Sequence, residues 1–263
     1  MSIPGLEHWL ETAQGRYVRE WESASMDNAI ADVFGFNALQ LGLPQCDFLH
    51  ASRIPLRQKA AEAGKVDVLC ELAALPFASN STDLVILPHV LEFSPDAHQI
   101  LREVERILIP EGHLIILGFN PVSLWGLRNR FDRSGSFPWH GNYLSLTRLK
   151  DWLKLLGFEV DRGNSGCHVP PCDQDAWLRR WHFMERAGGR WWGLPGGVYL
   201  LHAIKRVHAM RPSSRPWPSA VVAPGPRPRL ARARPPIPPP LAASTRSWPR
   251  RTACTRKGST SRH

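Results

Sequence analysis

The segment CELAALPFASNSTDLVILPHVLEF, residues 70–93, carries the strongest indication of the fold. It places an acidic residue, Glu71, before a Leu-Pro-Phe turn, and His89 after an apolar run. The run DLVILP is typical of a strand that is covered on both faces, as strands of a parallel sheet are. If Glu71 and His89 follow the same ends of neighbouring parallel strands, both face the crevice in which open α/β sheets bind small molecules.

Helices and strands alternate on the C-terminal side of this stretch. SPDAHQILREVERILIPEG has a helical apolar stripe, and we predict a helix with Ser94 as its N-cap and Pro95 in its first position. SLTRLKDWLKLLG predicts a second helix that ends at Gly157. The predicted strands on this side are HLIILGF, FEVDR and VYLLHAIKRV.

The N-terminal side continues the same alternation. The first 35 residues read as a helical cap, and NALQLG predicts a short strand ending at Gly42. We predict a second strand in CDFLHASRI, a short helix in RQKAAEAG and a third strand in VDVLCE, which ends on Glu71. Strands alternating with helices predict an α/β fold with a doubly wound, mostly parallel sheet.

The net charge of +10 comes from the C-terminal tail. Twelve of the 33 Lys and Arg residues and half of the 24 prolines lie from Arg211 onward, where there is no Asp or Glu. Positions 1–210 therefore carry a net charge of −2, which argues against a specific nucleic-acid partner. The composition of 211–263 predicts disorder, and either a native basic tail or a shifted reading frame explains its Pro/Arg bias.

The expected organisation is a helical cap over residues 1–35, a main domain over 36–210 and the tail over 211–263. Within the main domain, residues 163–197 form an aromatic-rich insertion that either roofs the crevice or packs as ordinary core. Five cysteines without a CxxC pair, no signal peptide and no apolar run of membrane-spanning length predict a reduced, cytoplasmic protein without a membrane span. The CHVPPCD segment matches no common zinc spacing, so no metal site is predicted.

The central segment resembles the class I S-adenosylmethionine (SAM) dependent methyltransferases of the type 11 group, which includes quinone-ring C-methyltransferases. The resemblance rests on Glu71 with Leu75-Pro76-Phe77, on Asp83-Leu84-Val85, on His89-Val90-Leu91-Glu92 and on Pro110-Glu111-Gly112, and it covers roughly residues 36–162. It implies a Rossmann-like fold of the class I methyltransferase type, with SAM as cofactor and a small molecule as methyl acceptor.

The resemblance also implies roles for individual residues. Glu71 would accept a hydrogen bond from the adenine amino group, and the backbone N–H of Leu72 would read a ring nitrogen. Leu75 and Pro76 would wall the adenine, while Pro88 and His89 would border the methionine portion and the sulfonium. Gly42 would lie at the cofactor loop. His89 is the nearest candidate for a general base, but a histidine at a strand end more often packs or caps, and that is the role we favour for it.

Two departures from the family pattern affect the cofactor loop. Where the family has a Gly-x-Gly-x-Gly pattern, this sequence reads QLGLPQCDF, so only Gly42 remains. The distance from Gly42 to Glu71 is 29 positions, which is shorter than in the family, so we expect the helix between them to be truncated or lost. In addition, the predicted second strand ends with Ser52 and Arg53 rather than with an acidic residue for the ribose hydroxyls.

Two functions therefore remain open from the sequence: an active small-molecule methyltransferase, and a methyltransferase-like binding or scaffold protein that has lost catalysis. A nucleic-acid amino-methyltransferase fails on position, because Asn120-Pro121 follows the predicted fifth strand and lacks the second proline and the aromatic residue. Asn120 is instead expected either to line the substrate side or to cap the turn at the strand end. No motif indicates the acceptor or the oligomeric state.

Overall fold

The computed structural model describes residues 6–131, 141–171 and 196–207. A seven-stranded sheet forms the centre of this part of the chain, and its strand order is β3-β2-β1-β4-β5-β7-β6. The strands are β1 Asn37–Leu41, β2 Leu56–Ala61, β3 Val68–Leu69, β4 Thr82–Pro88, β5 Leu108–Phe119, β6 Phe158–Gly166 and β7 Val198–Lys205. The helices are α1 Leu6–Glu11, α2 Ala13–Ile30, α3 Val90–Phe93, α4 Ala97–Ile107, α5 Leu124–Phe131 and α6 Leu146–Leu155.

The sheet is mostly parallel, as the sequence predicts. Strands β1 to β5 pair in parallel, whereas β7 is antiparallel to both β5 and β6. The central strand β4 is buried along almost its whole length, which explains its continuous apolar run. The predicted Rossmann-like, doubly wound fold is confirmed.

Helices cover both faces of the sheet, and each face has its own apolar cluster. On one face, Trp9 of α1, Val18 and Met26 of α2 and Trp125 of α5 pack against the strands. On the other face, α4 and α6 contribute the buried side chains Ile100, Leu101, Val104, Ile107, Leu149 and Leu153. This two-sided cover leaves the strand ends as the places where a ligand meets backbone and polar side chains.

The region between β1 and β3 corrects the sequence-based assignment. CDFLHASRI forms turns rather than the predicted strand, and the strand lies instead at Leu56–Ala61, where all but its first residue belong to the segment predicted to be helical. The misassignment arose because the apolar residues Phe48, Leu49 and Ile54 are buried from a loop and gave that loop a strand-like pattern. The third strand is also shorter than predicted, since it ends at Leu69.

The cap of α4 is a second correction. The helix begins at Ala97, and its N-cap is Asp96, whose carboxylate accepts a hydrogen bond from the Gln99 N–H at 3.0 Å. The predicted N-cap, Ser94, lies two residues earlier. The prediction for α6 is confirmed, because the helix spans Leu146–Leu155 and Gly157 follows it with a φ of +82°. Its N-cap is Ser145, whose hydroxyl accepts from the Arg148 N–H at 3.4 Å. The predicted tail and most of the aromatic insertion lie outside the described residues.

Candidate functional site

The sequence-predicted residues meet at one edge of the sheet. Gly42 follows β1, Glu71 follows β3 and His89 follows β4, and these strands are parallel, so all three lie at the carboxyl edge. The expectation that Glu71 and His89 follow neighbouring strands is wrong, because β2 and β1 separate β3 from β4. The candidate site therefore extends across four strands.

Gly42 makes the turn that leaves β1. Its φ is +79°, a conformation that favours glycine, and its N–H donates to the Ala60 carbonyl at 2.8 Å. A Cβ added at this position would lie 2.6 Å from Cγ2 of Val90, which follows the end of β4. The missing side chain thus lets the ends of β1 and β4 approach each other.

The loop that follows Gly42 is organised by Gln40, a residue that the sequence analysis did not single out. This fully buried side chain donates through Nε2 to the carbonyls of Leu43 at 3.1 Å and Cys46 at 2.9 Å, and its Oε1 accepts from the Phe48 N–H at 3.1 Å. Residues 42–55, all of which are described, contain no helix. The sequence did carry a sign of this role, because Gln40 is a polar residue inside the mostly buried strand NALQL and so needs hydrogen-bond partners.

An acidic residue does follow β2, contrary to the sequence-based expectation. Because β2 ends at Ala61, the residue at its carboxyl edge is Glu62 rather than Ser52 or Arg53. Glu62 is exposed and lies 20 positions after Gly42, the spacing at which nucleotide-binding α/β folds place the carboxylate that binds a ribose. The Cys70 N–H, which follows β3, donates to the Ala61 carbonyl at 3.1 Å, so Glu62 lies beside the end of β3, and burial and, second, its charge raise the pKa of the Cys70 thiol.

The segment after β3 presents one polar and several apolar groups. The Glu71 side chain is exposed, whereas Leu72 and Leu75 are buried and Pro76 is exposed beside them. The Glu71 carbonyl accepts from the Ala74 N–H at 3.1 Å, which turns the chain back towards the sheet. An exposed carboxylate next to an apolar wall suits a planar base that carries an amino group.

His89 lies at the centre of a buried cluster of charged groups. Its Nε2 is 2.5 Å from Oε1 of Glu22, which belongs to α2, and its Nδ1 is 3.1 Å from Oε2 of Glu92. All three side chains are almost fully buried. His89 also has a φ of +52°, an uncommon conformation for a residue with a side chain, of the kind that often marks functional sites.

The two carboxylates determine the protonation state of His89. Burial alone lowers the pKa of the imidazole, but the charges and hydrogen bonds of Glu22 and Glu92 outweigh it and raise the pKa to about 10. At neutral pH both ring nitrogens therefore carry protons and donate them to carboxylates. This arrangement supports an organising role for His89, because a general base needs a free ring nitrogen.

Glu92 links this cluster to the end of β5. Its Oε1 accepts a hydrogen bond from the backbone N–H of Phe119, and burial raises the pKa of its carboxyl group. Burial and, second, the charge of Glu92 also raise the pKa of the Tyr143 and Tyr199 hydroxyls well above the usual range. Both phenols are therefore hydrogen-bond donors at neutral pH rather than bases.

Aromatic rings line the ends of β4 and β5. Phe119 contacts His89 with tilted rings whose centroids are 4.4 Å apart, and it stacks on Tyr143 at 5.2 Å and on Trp125 at 6.1 Å. Trp9 of α1 meets Phe119 edge-on at 6.2 Å. Asn120, the next residue, caps the turn as one of its two expected roles, because its Oδ1 accepts from the Val122 N–H at 3.1 Å.

The groups at this edge fit SAM in their chemistry. Carboxylates after β2 and β3 suit ribose hydroxyls and an adenine amino group, and the glycine after β1, with its φ of +79°, makes the turn at the strand end beside them. Within the described ranges, no group of three or more His, Cys, Asp or Glu side chains is arranged to hold a metal ion. In those same ranges, no helix has the length and apolarity that crossing a bilayer requires.

Comparison with known proteins agrees with the geometry. Residues 39–116 match the family model described as a methyltransferase domain. The chain is 33% identical over 172 residues to the uncharacterized protein YafS of Escherichia coli K12, which covers 62% of this chain and 69% of YafS. It is 32% identical over 88 residues to the ubiquinone/menaquinone biosynthesis C-methyltransferase UbiE of Cereibacter sphaeroides, covering 30% of this chain and 35% of UbiE.

A solved structure supports the same fold. A SAM-dependent methyltransferase from Thermotoga maritima, described as a possible histamine N-methyltransferase, aligns with a TM-score of 0.55 at 16% identity. The alignment covers 76% of this chain and 94% of that protein. With its Rossmann-like sheet, its carboxyl-edge acidic residues and these relatives, the chain belongs to the class I S-adenosylmethionine-dependent methyltransferases, in the type 11 group, whose cofactor is SAM.

Proposed function

We propose that this protein is an active methyltransferase that transfers a methyl group from SAM to a small-molecule acceptor. The observation that carries the proposal is the convergence of Gly42, Glu62, Glu71 and His89 on the carboxyl edge of β1 to β4. Glu62 binds the ribose hydroxyls and Glu71 accepts from the adenine amino group. The backbone N–H of Leu72 reads a ring nitrogen, and Leu75 and Pro76 wall the adenine.

The methionine end of the cofactor lies between Gly42 and Pro88-His89 in this proposal. When bound, SAM supplies a methyl group that its positive sulfur already activates, so the protein has mainly to align the acceptor with it. His89 is a positioning residue, because both of its ring nitrogens are held by carboxylates. The cluster fixes the end of β4 against α2 and keeps water away from this end of the site.

The acceptor side lies beside Phe119, Trp125 and Tyr143, at the ends of β4 and β5. Stacked, buried rings of this kind favour a largely apolar acceptor with a planar part. The UbiE relative is named as a C-methyltransferase of quinone biosynthesis, and a quinol or phenol has this chemistry. We therefore propose a planar, largely apolar small molecule as the acceptor class.

A second candidate function is a methyltransferase-fold binding or scaffold protein without catalysis. The observation that favours it is the loop after β1, where Leu43, Pro44 and Gln45 replace the glycine pattern and no helix follows within residues 42–55. The N-terminus of such a helix is an anion-binding site in related folds, so its loss removes one contact for the methionine carboxylate.

The test of the proposed function is a thermal-shift series followed by a transfer assay. A ligand at about 100 times its Kd stabilises the folded protein by about 2.7 kcal/mol. We expect SAM to raise the melting temperature of the wild type and of the control Asp32→Asn, and to raise it less for Glu62→Ala and Glu71→Ala. Incubation with methyl-tritiated SAM and a panel of quinols and phenols should then label an extractable product, whereas the scaffold function predicts none.

A further inference from the structure

One face of α4 is polar and lies against the loop that carries Glu71 and Leu75. Gln99, Glu103 and Arg106 recur at helical spacing on this face, while the opposite face buries its apolar residues in the core. All three side chains bond to backbone atoms between residues 73 and 79. None of the roles implied by the family resemblance involves this contact between α4 and the loop.

Arg106 holds the loop at two carbonyl groups. Its Nη2 donates to the Leu75 carbonyl and its Nη1 to the Phe77 carbonyl, both at 2.9 Å, and Nη1 also reaches Oγ of Ser79 at 3.3 Å. The planar guanidinium therefore bridges the two sides of the Leu-Pro-Phe turn. A lysine carries a single nitrogen and cannot reproduce this fork.

Glu103 binds the backbone N–H of the same residue whose carbonyl Arg106 holds, Leu75. Its Oε2 accepts from the Leu75 N–H at 3.0 Å and from Arg106 Nη2 at 2.8 Å. The hydrogen bond from Arg106 lowers the pKa of Glu103, so this carboxylate is charged at neutral pH. Gln99 adds a longer bond from its Nε2 to the Ala73 carbonyl at 3.4 Å.

These side chains determine the shape of the segment because the segment has little regular structure of its own. Residues 70–81 are all described and include no helix or strand, and the bond between Ala74 and Glu71 is one of the few that the segment makes within itself. The direction in which Glu71 and the Leu72 N–H face the crevice therefore depends on how α4 holds Leu75 and Phe77.

We propose that Glu103 and Arg106 are positioning residues that fix the adenine-reading segment and so set the preference of this site for adenine over other purines. The proposal rests on the proposed function, because it assumes that Glu71 and Leu72 read the base. Glu71 would accept from the amino group of adenine, whereas hypoxanthine presents an oxygen there. Discrimination between the two bases requires the carboxylate to be held in place.

The experiment compares two ligands that differ at this edge of the base: S-adenosylhomocysteine and its deaminated form, S-inosylhomocysteine, in which an oxygen replaces the amino group and N1 carries a proton. Calorimetry on the full chain gives both Kd values. For the wild type we expect S-inosylhomocysteine to bind at least about tenfold more weakly, as expected for a lost hydrogen bond to a charged group. In Arg106→Gln this ratio should fall towards 1.

Matched variants separate positioning from general destabilisation. Arg102→Gln makes the same change at an exposed position of the same helix and should keep the wild-type ratio. Arg106→Lys keeps the positive charge but not the planar guanidinium, and it should lose the preference for the adenine ligand, as should Glu103→Gln. Either variant can replace Arg106→Gln in the experiment if that variant does not fold. Partial unfolding lowers the binding stoichiometry and leaves the ratio unchanged.

The outcomes distinguish the two proposals. A ratio that stays at the wild-type value in folded Arg106 and Glu103 variants overturns the positioning role and leaves the proposed function intact. A folded wild type that binds neither ligand overturns both. A wild type that binds both ligands equally overturns the reading of adenine by Glu71, and with it the positioning role.

Discussion

Replacing Glu22 by glutamine is the perturbation that most directly probes the buried cluster at the end of β4. Glu22 is the contribution of α2 to this cluster, and its carboxylate lies 2.5 Å from Nε2 of His89. Glutamine keeps the length of the side chain and an oxygen that can accept the hydrogen bond. The substitution therefore removes the negative charge and little else.

The expected magnitude follows from the burial of both partners, whose side chains are 4% and 5% exposed. Breaking a buried ion pair by removing one partner costs about 3–5 kcal/mol. Because Gln can still accept from Nε2, we expect Glu22→Gln to lower the free energy of unfolding by the value of a charge-assisted hydrogen bond, about 1.5–3 kcal/mol. Because the charge of Glu92 still stabilises the imidazolium, we expect the loss of unfolding free energy to stay below about 3 kcal/mol.

The assay is urea denaturation of a double-mutant cycle with His89→Asn, which tolerates the left-handed backbone of this position. We expect a coupling free energy of at least about 1.5 kcal/mol between positions 22 and 89. Glu20→Gln, an exposed residue of the same helix, is the matched control and should change stability by less than about 0.5 kcal/mol. A loss for Glu22→Gln no larger than that of the control would mean that the charge of Glu22 does not stabilise the buried cluster.

The pH dependence gives the same test a second readout. The pKa of His89 in the folded protein, about 10, lies above the value of about 6.5 expected for the unfolded chain. The folded state therefore binds the extra proton between these values, so the stabilisation is complete below pH 6.5 and is lost as the pH rises towards 10. In Glu22→Gln the decline between about pH 7 and about pH 9 should be smaller than in the wild type.

Three further predictions concern the sheet and its loops. Gly42→Ala should lower the free energy of unfolding by about 1–3 kcal/mol in urea, because the residue has a positive φ and its new Cβ would meet Val90. Gln40→Leu should cost at least about 2 kcal/mol in the same assay, since it leaves the loop carbonyls and the Phe48 N–H without their partner. Burial and the charge of His113 lower the pKa of His202 to about 4, which is below its value in the unfolded chain. The unfolded state therefore binds the extra proton between these values, and the urea midpoint should fall as the pH drops from about 6.5 to about 4. In His202→Gln this fall should be smaller.

The fold could be predicted because several independent patterns agree on it. The apolar run of β4, the amphipathic α4 and the capped α6 each carry a strong local signal, and each lies within its predicted segment. The exceptions are the N-cap of α4 and its end at Ile107, since the predicted segment continued to Gly112. The half of the sheet that contains β2 and β3 carried no such signal. Only the last two of the six residues of strand β2 are buried, and β3 has only two residues, so neither shows the apolar pattern of a covered strand.

The candidate site was predicted where it follows strong strands and missed where it depends on tertiary contacts. Gly42 and His89 follow β1 and β4 and lie where the sequence puts them, whereas Glu62 was missed because β2 was misplaced. The partnership of His89 with Glu22 joins residues 67 positions apart, and no local pattern encodes such a pair. The same holds for the contact of Arg106 with Leu75, across 31 positions.

Calorimetric titration of SAM into the full chain measures the cofactor binding on which the proposed function depends. We expect a Kd near micromolar, about −8 kcal/mol, and at least about tenfold weaker binding by Glu71→Ala, on the scale of a charge-assisted hydrogen bond. Absence of binding up to millimolar SAM by the folded protein would overturn the proposed function and favour the scaffold function. An unchanged Kd in Glu71→Ala would contradict the placement of the adenine.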